Sequence, residues 1–169
     1  MRVQAAVALL AGAAAACPYA ALLPPDVSSV VVACPANATL CTVDRACGAI
    51  APCSPLPGVL DLRCSGSPAL GDLSATNVSD LSVMGTKLNL EALVLPALAS
   101  FTVQNCSIER MPSALQWPTS LLTMDLANTS LQSIPAGLPH RLRDLRLDDN
   151  DLSRSTTSLD SLPTSLRRL

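Results

Sequence analysis

Cysteine and histidine are the side chains of this chain whose types could support metal binding, redox chemistry or nucleophilic catalysis. Six of the seven cysteines lie between residues 17 and 64, and the single histidine, His140, lies far from them. Zinc sites usually bring two ligands together at a close spacing such as C-x-x-C, which is absent here. We therefore expect no metal and predict a segment stapled by disulfides, as in exported proteins. The candidates are Cys17, Cys34, Cys41, Cys47, Cys53 and Cys64. Their pairing stays open, because six cysteines can be connected in many ways.

Asparagine gives a second chemical signal. Four of the six asparagines begin an Asn-x-Ser/Thr sequence, the acceptor for N-linked glycans in secreted proteins. The candidates are Asn37, Asn77, Asn105 and Asn128. So many sites in one short chain favour a secreted glycoprotein.

Catalysis has little support in this composition. One histidine and one cysteine outside the cysteine-rich segment leave few groups for nucleophilic chemistry, and no glycine-rich phosphate loop is present. With a formal net charge of −2, the chain lacks the excess of basic residues that is typical of proteins that bind nucleic acid. We therefore expect no enzymatic activity, no cofactor and no nucleic-acid partner, and we interpret His140 as a solvent-facing loop residue.

The first 16 residues are typical of a signal peptide. Arg2 supplies a positive start, an apolar run follows, and Ala14-x-Ala16 resembles a cleavage site, so we expect cleavage before Cys17. An alanine-rich core helix and lipidation of Cys17 are the alternatives. The run is short for a membrane span, and no later run is long enough. The sequence predicts a secreted or cell-surface protein without a membrane span in the mature chain.

The rest of the chain is organised by an apolar repeat, which determines which side chains face the core and which face solvent. The pattern L-x-x-L-x-L-x-x-N/C-x-L occurs three times, starting at Leu98, Leu121 and Leu142, with offsets of 23 and 21 residues. The flanks repeat in phase, because Trp117-Pro118, Leu138-Pro139 and Leu162-Pro163 each stand four residues before the next leading leucine. Successive side chains of a strand point to opposite faces, so positions four and six face inward and their neighbours face solvent.

This pattern resembles the extracellular leucine-rich repeat family, and in particular the N-terminal ectodomains of leucine-rich repeat receptor-like proteins and kinases. The resemblance implies an α/β solenoid of short parallel strands with an irregular or 3-10 convex side, preceded by a disulfide-rich cap. We expect a signal peptide at 1–16, a cysteine-rich cap at 17–64, degenerate repeats at 57–97 and clear repeats at 98–169. Each unit is too small to fold alone, so neighbouring units must bury one another's faces.

The degenerate repeats at 57–97 and the last residues of the sequence match the leucine-rich repeat pattern less closely. Leu81 and Val83 occupy positions four and six of one unit, and Leu60 with Leu62 could form the strand of a unit before it. Within the predicted cap, the valine-rich residues 28–33 are the strongest candidate for a β-strand. Gly71-Asp72 is interpreted as a turn. Residues 166–169 begin another copy, so we expect a fragment, a truncated gene model or the front of a longer receptor.

Other repeat positions predict packing. Asn150 occupies position nine, where a side-chain amide can satisfy backbone groups of the neighbouring unit, and cysteine or threonine can do so more weakly. Cys106 at that position is expected to be a buried free thiol. Phe101 and Trp117 are expected in the core. Asn105 and Asn128 occupy equivalent positions, so either glycosylation or a turn preference could explain them.

Positions three, five and seven of each unit should line up on the exposed face of the strands, which we call the concave face. Its residues are Asp80, Ser82, Met84, Ser100, Thr102, Gln104, Thr123, Asp125, Ala127, Asp144, Arg146 and Asp148. We expect this face to bind a protein, peptide or glycan, in a secreted protein or in the truncated ectodomain of a receptor. Two alternatives remain: these are only solvated strand residues, or the chain is a structural wall or surface glycoprotein without a specific ligand.

Overall fold

The computed structural model describes residues 17, 19–33, 40–50, 59–61, 68–85, 87–112, 115–154 and 162–169. The described part contains short strands, one short helix and one 3-10 turn. Their bounds are α1 Tyr19–Leu22, β1 Ser29–Ala33, β2 Leu40–Val43, β3 Ala49–Ile50, β4 Val59–Asp61, β5 Pro68–Leu70, β6 Asp80–Met84, β7 Lys87–Asn89, β8 Ser100–Gln104, β9 Ser107–Arg110, β10 Thr123–Asp125, β11 Asp144–Arg146 and a 3-10 turn at Leu152–Arg154. None of the helices described here is long and apolar enough to cross a membrane.

One sheet contains the predicted repeat strands. Its order is β4-β6-β8-β10-β11, and every pairing in it is parallel. The register places position four of each unit opposite the same position of the next unit, through Leu81, Phe101, Met124 and Leu145. The predicted fold class, a leucine-rich repeat solenoid, is therefore confirmed.

The core lies directly behind this sheet. The position-four residues are at most 2% exposed, and Val83, Val103 and Leu126 at position six are fully buried. Their neighbours along the same strands are half-buried or exposed. The alternation read from the sequence therefore gives the correct inward face, although Leu147, at position six of the repeat that starts at Leu142, is only half-buried against the core.

A second sheet covers the opposite side of the earlier units. Its order is β3-β2-β1-β5-β7-β9, with β5, β7 and β9 parallel. The sequence did not predict β5, β7 and β9, because an irregular or 3-10 convex side was expected for the repeats. The expected irregular form appears only after β9, where Ser130 has a left-handed φ of 58° that interrupts an extended strand. The 3-10 turn follows in the next unit.

The segment before the repeats extends this second sheet. Strand β1 agrees with the predicted strand at 28–33, and it pairs with β2 in antiparallel and with β5 in parallel orientation. A disulfide joins Cys17 to Cys47, and Cys41 is also disulfide-bonded. The signal peptide predicted at 1–16 lies outside the described residues.

Gly71 and Asp72 do not form the predicted turn. The Gly71 amide donates to the carbonyl of Val31 at 2.8 Å, and Asp72 forms a parallel bridge with Val94. The glycine is needed for close approach, since a Cβ at this position would lie 2.7 Å from the Tyr19 hydroxyl. That hydroxyl accepts a hydrogen bond of 3.1 Å from the Asp72 amide and so fixes α1 against the second sheet.

Candidate functional site: the concave face

The concave face consists of three rows that run across the strands. The first row brings together Asp80, Ser100, Thr123 and Asp144, which are successive partners in β6, β8, β10 and β11. Neighbouring strands lie about 4.8 Å apart, so each side chain of the row is within reach of the next. These four predicted residues therefore form a continuous polar line that begins and ends with an aspartate.

The second row contains Ser82, Thr102, Asp125 and Arg146 in the same register. Its first half is uncharged, and its second half is an ion pair. Nη1 of Arg146 lies 3.1 Å from Oδ2 of Asp125, whose side chain is only 14% exposed. Charge is thus concentrated in the last two strands of the face.

The third row begins with Met84 beside Gln104. Ala127 and Asp148 lie two residues beyond the ends of β10 and β11, and the Asn128 amide donates to the Asp148 carbonyl at 2.9 Å. Oδ2 of Asp148 lies 3.3 Å from Nε of Arg146. Arg146 therefore lies between two carboxylates and is largely neutralised on this face.

Sequence reasoning missed Arg168 as a member of the face. It bridges to Asp144 in parallel fashion, and its Nε lies 3.7 Å from Oδ1 of that aspartate. The signal was present, because Arg168 stands two residues after Leu166, at position three of the next copy. The first row therefore ends in a cation that pairs with its last carboxylate.

The aromatic residues do not reach the concave face. Phe101 is fully buried, and Trp117 is 8% exposed and donates its indole N–H to the carbonyl of Ala136 at 3.0 Å. The two ring centroids are 6.0 Å apart, which is a favourable distance for a tilted aromatic pair. Both residues pack in the core, as the repeat phase predicted.

Neither Cys106 nor His140 belongs to the three rows of the concave face, although the Cys106 thiol donates to the backbone carbonyl of Gln104 at 3.3 Å. Cys106 is a buried free thiol, whereas His140 is exposed in a loop. Burial raises the pKa of the Cys106 thiol to about 11, although a hydrogen bond from the Gly85 backbone opposes this shift. A thiol with this pKa is almost wholly protonated near neutral pH and is a poor nucleophile. Of the other disulfide candidates, Cys34, Cys53 and Cys64 lie outside the described residues.

Three of the predicted sequons can be placed in the fold. Asn77, Asn105 and Asn128 are exposed, and Asn37 lies outside the described residues. Asn105 and Asn128 have left-handed φ values of 52° and 54°, and Asp149 at the same repeat position has 56°. Asparagine and aspartate tolerate this conformation better than most residues, so the turn alone accounts for the residue type.

The chemistry that the concave face offers is recognition by hydroxyl, amide and carboxylate groups. Known proteins give one informative comparison: the chain is 33% identical over 95 residues to the monocyte differentiation antigen CD14 of Oryctolagus cuniculus. The match covers 52% of this chain and 23% of that relative, so the similarity concerns less than a quarter of the relative's length. No protein-family model matches the chain, and no solved structure matches it significantly.

Proposed function

We propose that this chain is an extracellular binding module that holds a polar protein, peptide or glycan ligand on its concave face. One observation carries the proposal: polar side chains from four parallel strands line up in register and remain accessible, while the large apolar residues of these strands other than Met84 are turned into the core. A rigid array of this kind presents many hydrogen-bonding groups at fixed spacing. It thereby lowers the entropy lost when a ligand binds.

The distribution of charge favours a ligand that binds mainly by hydrogen bonds. The centre of the face holds Ser100, Thr102 and Thr123, which are half-buried and uncharged. Asp80 flanks this centre on one side, and the paired charges of Asp125 and Arg146 flank it on the other. Because Asp125 and Arg146 already pair with each other, the hydroxyl groups of the centre can offer hydrogen bonds to a ligand without competition from that ion pair.

An extracellular location is supported by two independent features. The disulfide between Cys17 and Cys47 belongs to a class of bond that persists in oxidising compartments. The similar relative is named an antigen of monocyte differentiation, which fits exposure at a cell surface. The proposed role suits a secreted protein and equally the ectodomain of a receptor, and an apolar stretch of about 20 residues encoded after Leu169 would identify the receptor.

The test is binding of the secreted chain to a glycan array and to intact cells, measured by fluorescence. Thr102→Arg combined with Thr123→Arg places two long cations at the centre of the face, and we expect binding to fall at least about tenfold, which corresponds to roughly 1.4 kcal/mol. Gln132→Arg combined with Ser133→Arg adds the same charge at exposed positions outside the repeat strands. Equal loss in both double variants would refute the concave face as the site. Absence of any retained ligand would instead support a structural glycoprotein.

A further inference from the structure

The geometry points to a second binding site, separate from the concave face, that takes a sulfated glycan. A cleft of about 450 Å³ lies between the loops that lead into the last two units. We call it the arginine cleft. It is lined by His140, Arg141, Arg143, Thr164, Ser165, Leu166 and Arg167. Its volume lies within the range of about 300–1,000 Å³ that small ligands occupy.

Stacking of the repeat units brings two of these arginines together. The Arg167 amide donates to the Arg143 carbonyl at 2.7 Å, and the Arg143 amide donates to the Leu122 carbonyl at 2.8 Å. Arg143 and Arg167 therefore occupy position two of successive units, one strand spacing apart. Earlier units have Ala99 and Leu122 at this position, so the positive charge is a property of the last two units alone.

The third arginine replaces a structural serine. Ser120 and Ser165 stand directly before the leading leucine of their units, and each donates its hydroxyl to the leading-leucine carbonyl of the preceding unit. Arg141 occupies the equivalent position in the unit between them. Its side chain cannot reproduce that short serine contact, and it is exposed at the cleft instead.

These three cations have no protein counterion in the described part of the chain. Arg141, Arg143 and Arg167 are exposed, and none of them belongs to an ion pair there. Among the residues that the structure describes, no carboxylate lines the cleft, and the nearest aspartate in sequence, Asp144, pairs with Arg168 on the concave face. Like charges held this close repel one another, so binding of an anion would relieve the repulsion.

The other lining groups select the kind of anion. A planar guanidinium binds sulfate through two parallel hydrogen bonds, and three of them suit a group that carries several negative charges. Thr164, Ser165 and His140 supply polar groups that suit sugar hydroxyls. Leu166 is the one apolar residue among the described lining residues, and it is half-buried against the core, which leaves little apolar surface for an acyl chain. A sulfated saccharide fits this lining better than a membrane surface or an apolar peptide.

The test uses the full mature chain and a heparin-derived tetrasaccharide in titration calorimetry, with the chemically desulfated tetrasaccharide as the matched ligand. We expect saturable binding of the sulfated form only. Arg143→Gln with Arg167→Gln should weaken it at least tenfold and reduce the slope of log K against log salt by about two. Lys87→Gln removes one exposed cation on β7, outside both the concave face and the arginine cleft, and should leave the affinity unchanged.

Several outcomes would overturn the inference. Binding of both tetrasaccharides with equal affinity would show that the cleft does not recognise the sulfate groups. Equal weakening by Lys87→Gln would show only a general effect of net charge. Binding to phosphatidylserine vesicles without binding to the tetrasaccharide would assign the cleft to a membrane. Because Thr102 and Thr123 lie outside the arginine cleft, their arginine variants should retain tetrasaccharide binding, so failure of one site is distinguishable from failure of the other.

Discussion

The side-chain amide of Asn150 donates a hydrogen bond of 2.8 Å to the backbone carbonyl of Leu126, which lies one unit earlier. The same amide donates to the Leu147 carbonyl, and its oxygen accepts from the backbone amides of Thr129 and Leu131. One side chain thus satisfies backbone groups on two neighbouring units, as position nine predicted. Asn150 thereby couples the units that start at Leu121 and Leu142 at a point beyond the ends of β10 and β11.

Replacement of Asn150 should therefore cost far more than loss of one hydrogen bond. Asn150→Ala leaves several partly buried backbone groups unpaired at about 1–3 kcal/mol each, so we expect the free energy of unfolding to fall by roughly 2–4 kcal/mol. Urea unfolding followed by circular dichroism measures this change. Asn150→Asp keeps the acceptor oxygen and should cost less, and the exposed Asp149→Asn is the control. A loss below 0.5 kcal/mol for Asn150→Ala, on the order of an exposed substitution, would contradict the coupling role.

Leu126 tests whether the repeat phase is correct. Its side chain is fully buried between neighbouring units. Leu126→Ala should lower the free energy of unfolding by about 2–5 kcal/mol, and Leu126→Asp should unfold several units together because an unpaired charge enters the core. Ala127→Ser, one residue further on the opposite face, should change stability little. Unchanged thermal unfolding of Leu126→Asp would show that the phase is wrong.

The repeat strands and the core could be predicted because period-two alternation is a local property of the sequence. Positions four and six of the unit starting at Leu98 are Phe101 and Val103, and both are fully buried. The rows of the concave face follow from the same alternation once the units stack in register.

Other features could not be predicted because they depend on contacts between distant segments. Gly71 was interpreted as a turn, yet it is required by the approach of Tyr19, which lies 52 residues earlier. The parallel strands β5, β7 and β9 have no distinct pattern in the sequence. The arginine cleft arises only when the loops at 140–143 and 164–167 are placed side by side.

Asp125 shows how a contact between units changes an expectation. Alternation alone predicts that Asp125→Ala barely changes stability. In the structure, Oδ1 of Asp125 accepts a hydrogen bond of 3.1 Å from the Ala127 amide, and Oδ2 pairs with Arg146. We now expect a loss of about 1 kcal/mol, most of it from the backbone contact.

A double-mutant cycle with Arg146→Ala separates these two contributions. Arg146 is 55% exposed, so the coupling energy between the two side chains should be only about 0.2–1 kcal/mol and should decrease in high salt. Chemical denaturation of the four proteins gives this value. A coupling energy equal to the whole loss in Asp125→Ala would show that the Ala127 contact contributes nothing.

The disulfide between Cys17 and Cys47 should hold the residues that lead into α1 against the loop between β2 and β3. It spans a sequence separation of 30 residues, for which cross-linking typically contributes about 2–4 kcal/mol. In Cys17→Ala combined with Cys47→Ala, hydrogen exchange should accelerate in α1 and β1–β3 more than in β8 and β10. Uniform acceleration across all strands would mean that the bond stabilises the solenoid as a whole rather than this segment.

Cys106 should make the stability of the protein depend on alkaline pH. Its pKa is raised from an ordinary value of 9.0 to about 11, mainly because burial disfavours the thiolate. Between these values the folded protein keeps a proton that the unfolded chain has released, so the contribution is complete below pH 9 and decreases as the pH rises. The free energy of unfolding should therefore fall more steeply from pH 9 to 11 in the wild type than in Cys106→Ala. Parallel pH profiles, together with rapid alkylation of the native thiol at pH 8, would show that Cys106 is accessible and that its burial has no energetic effect.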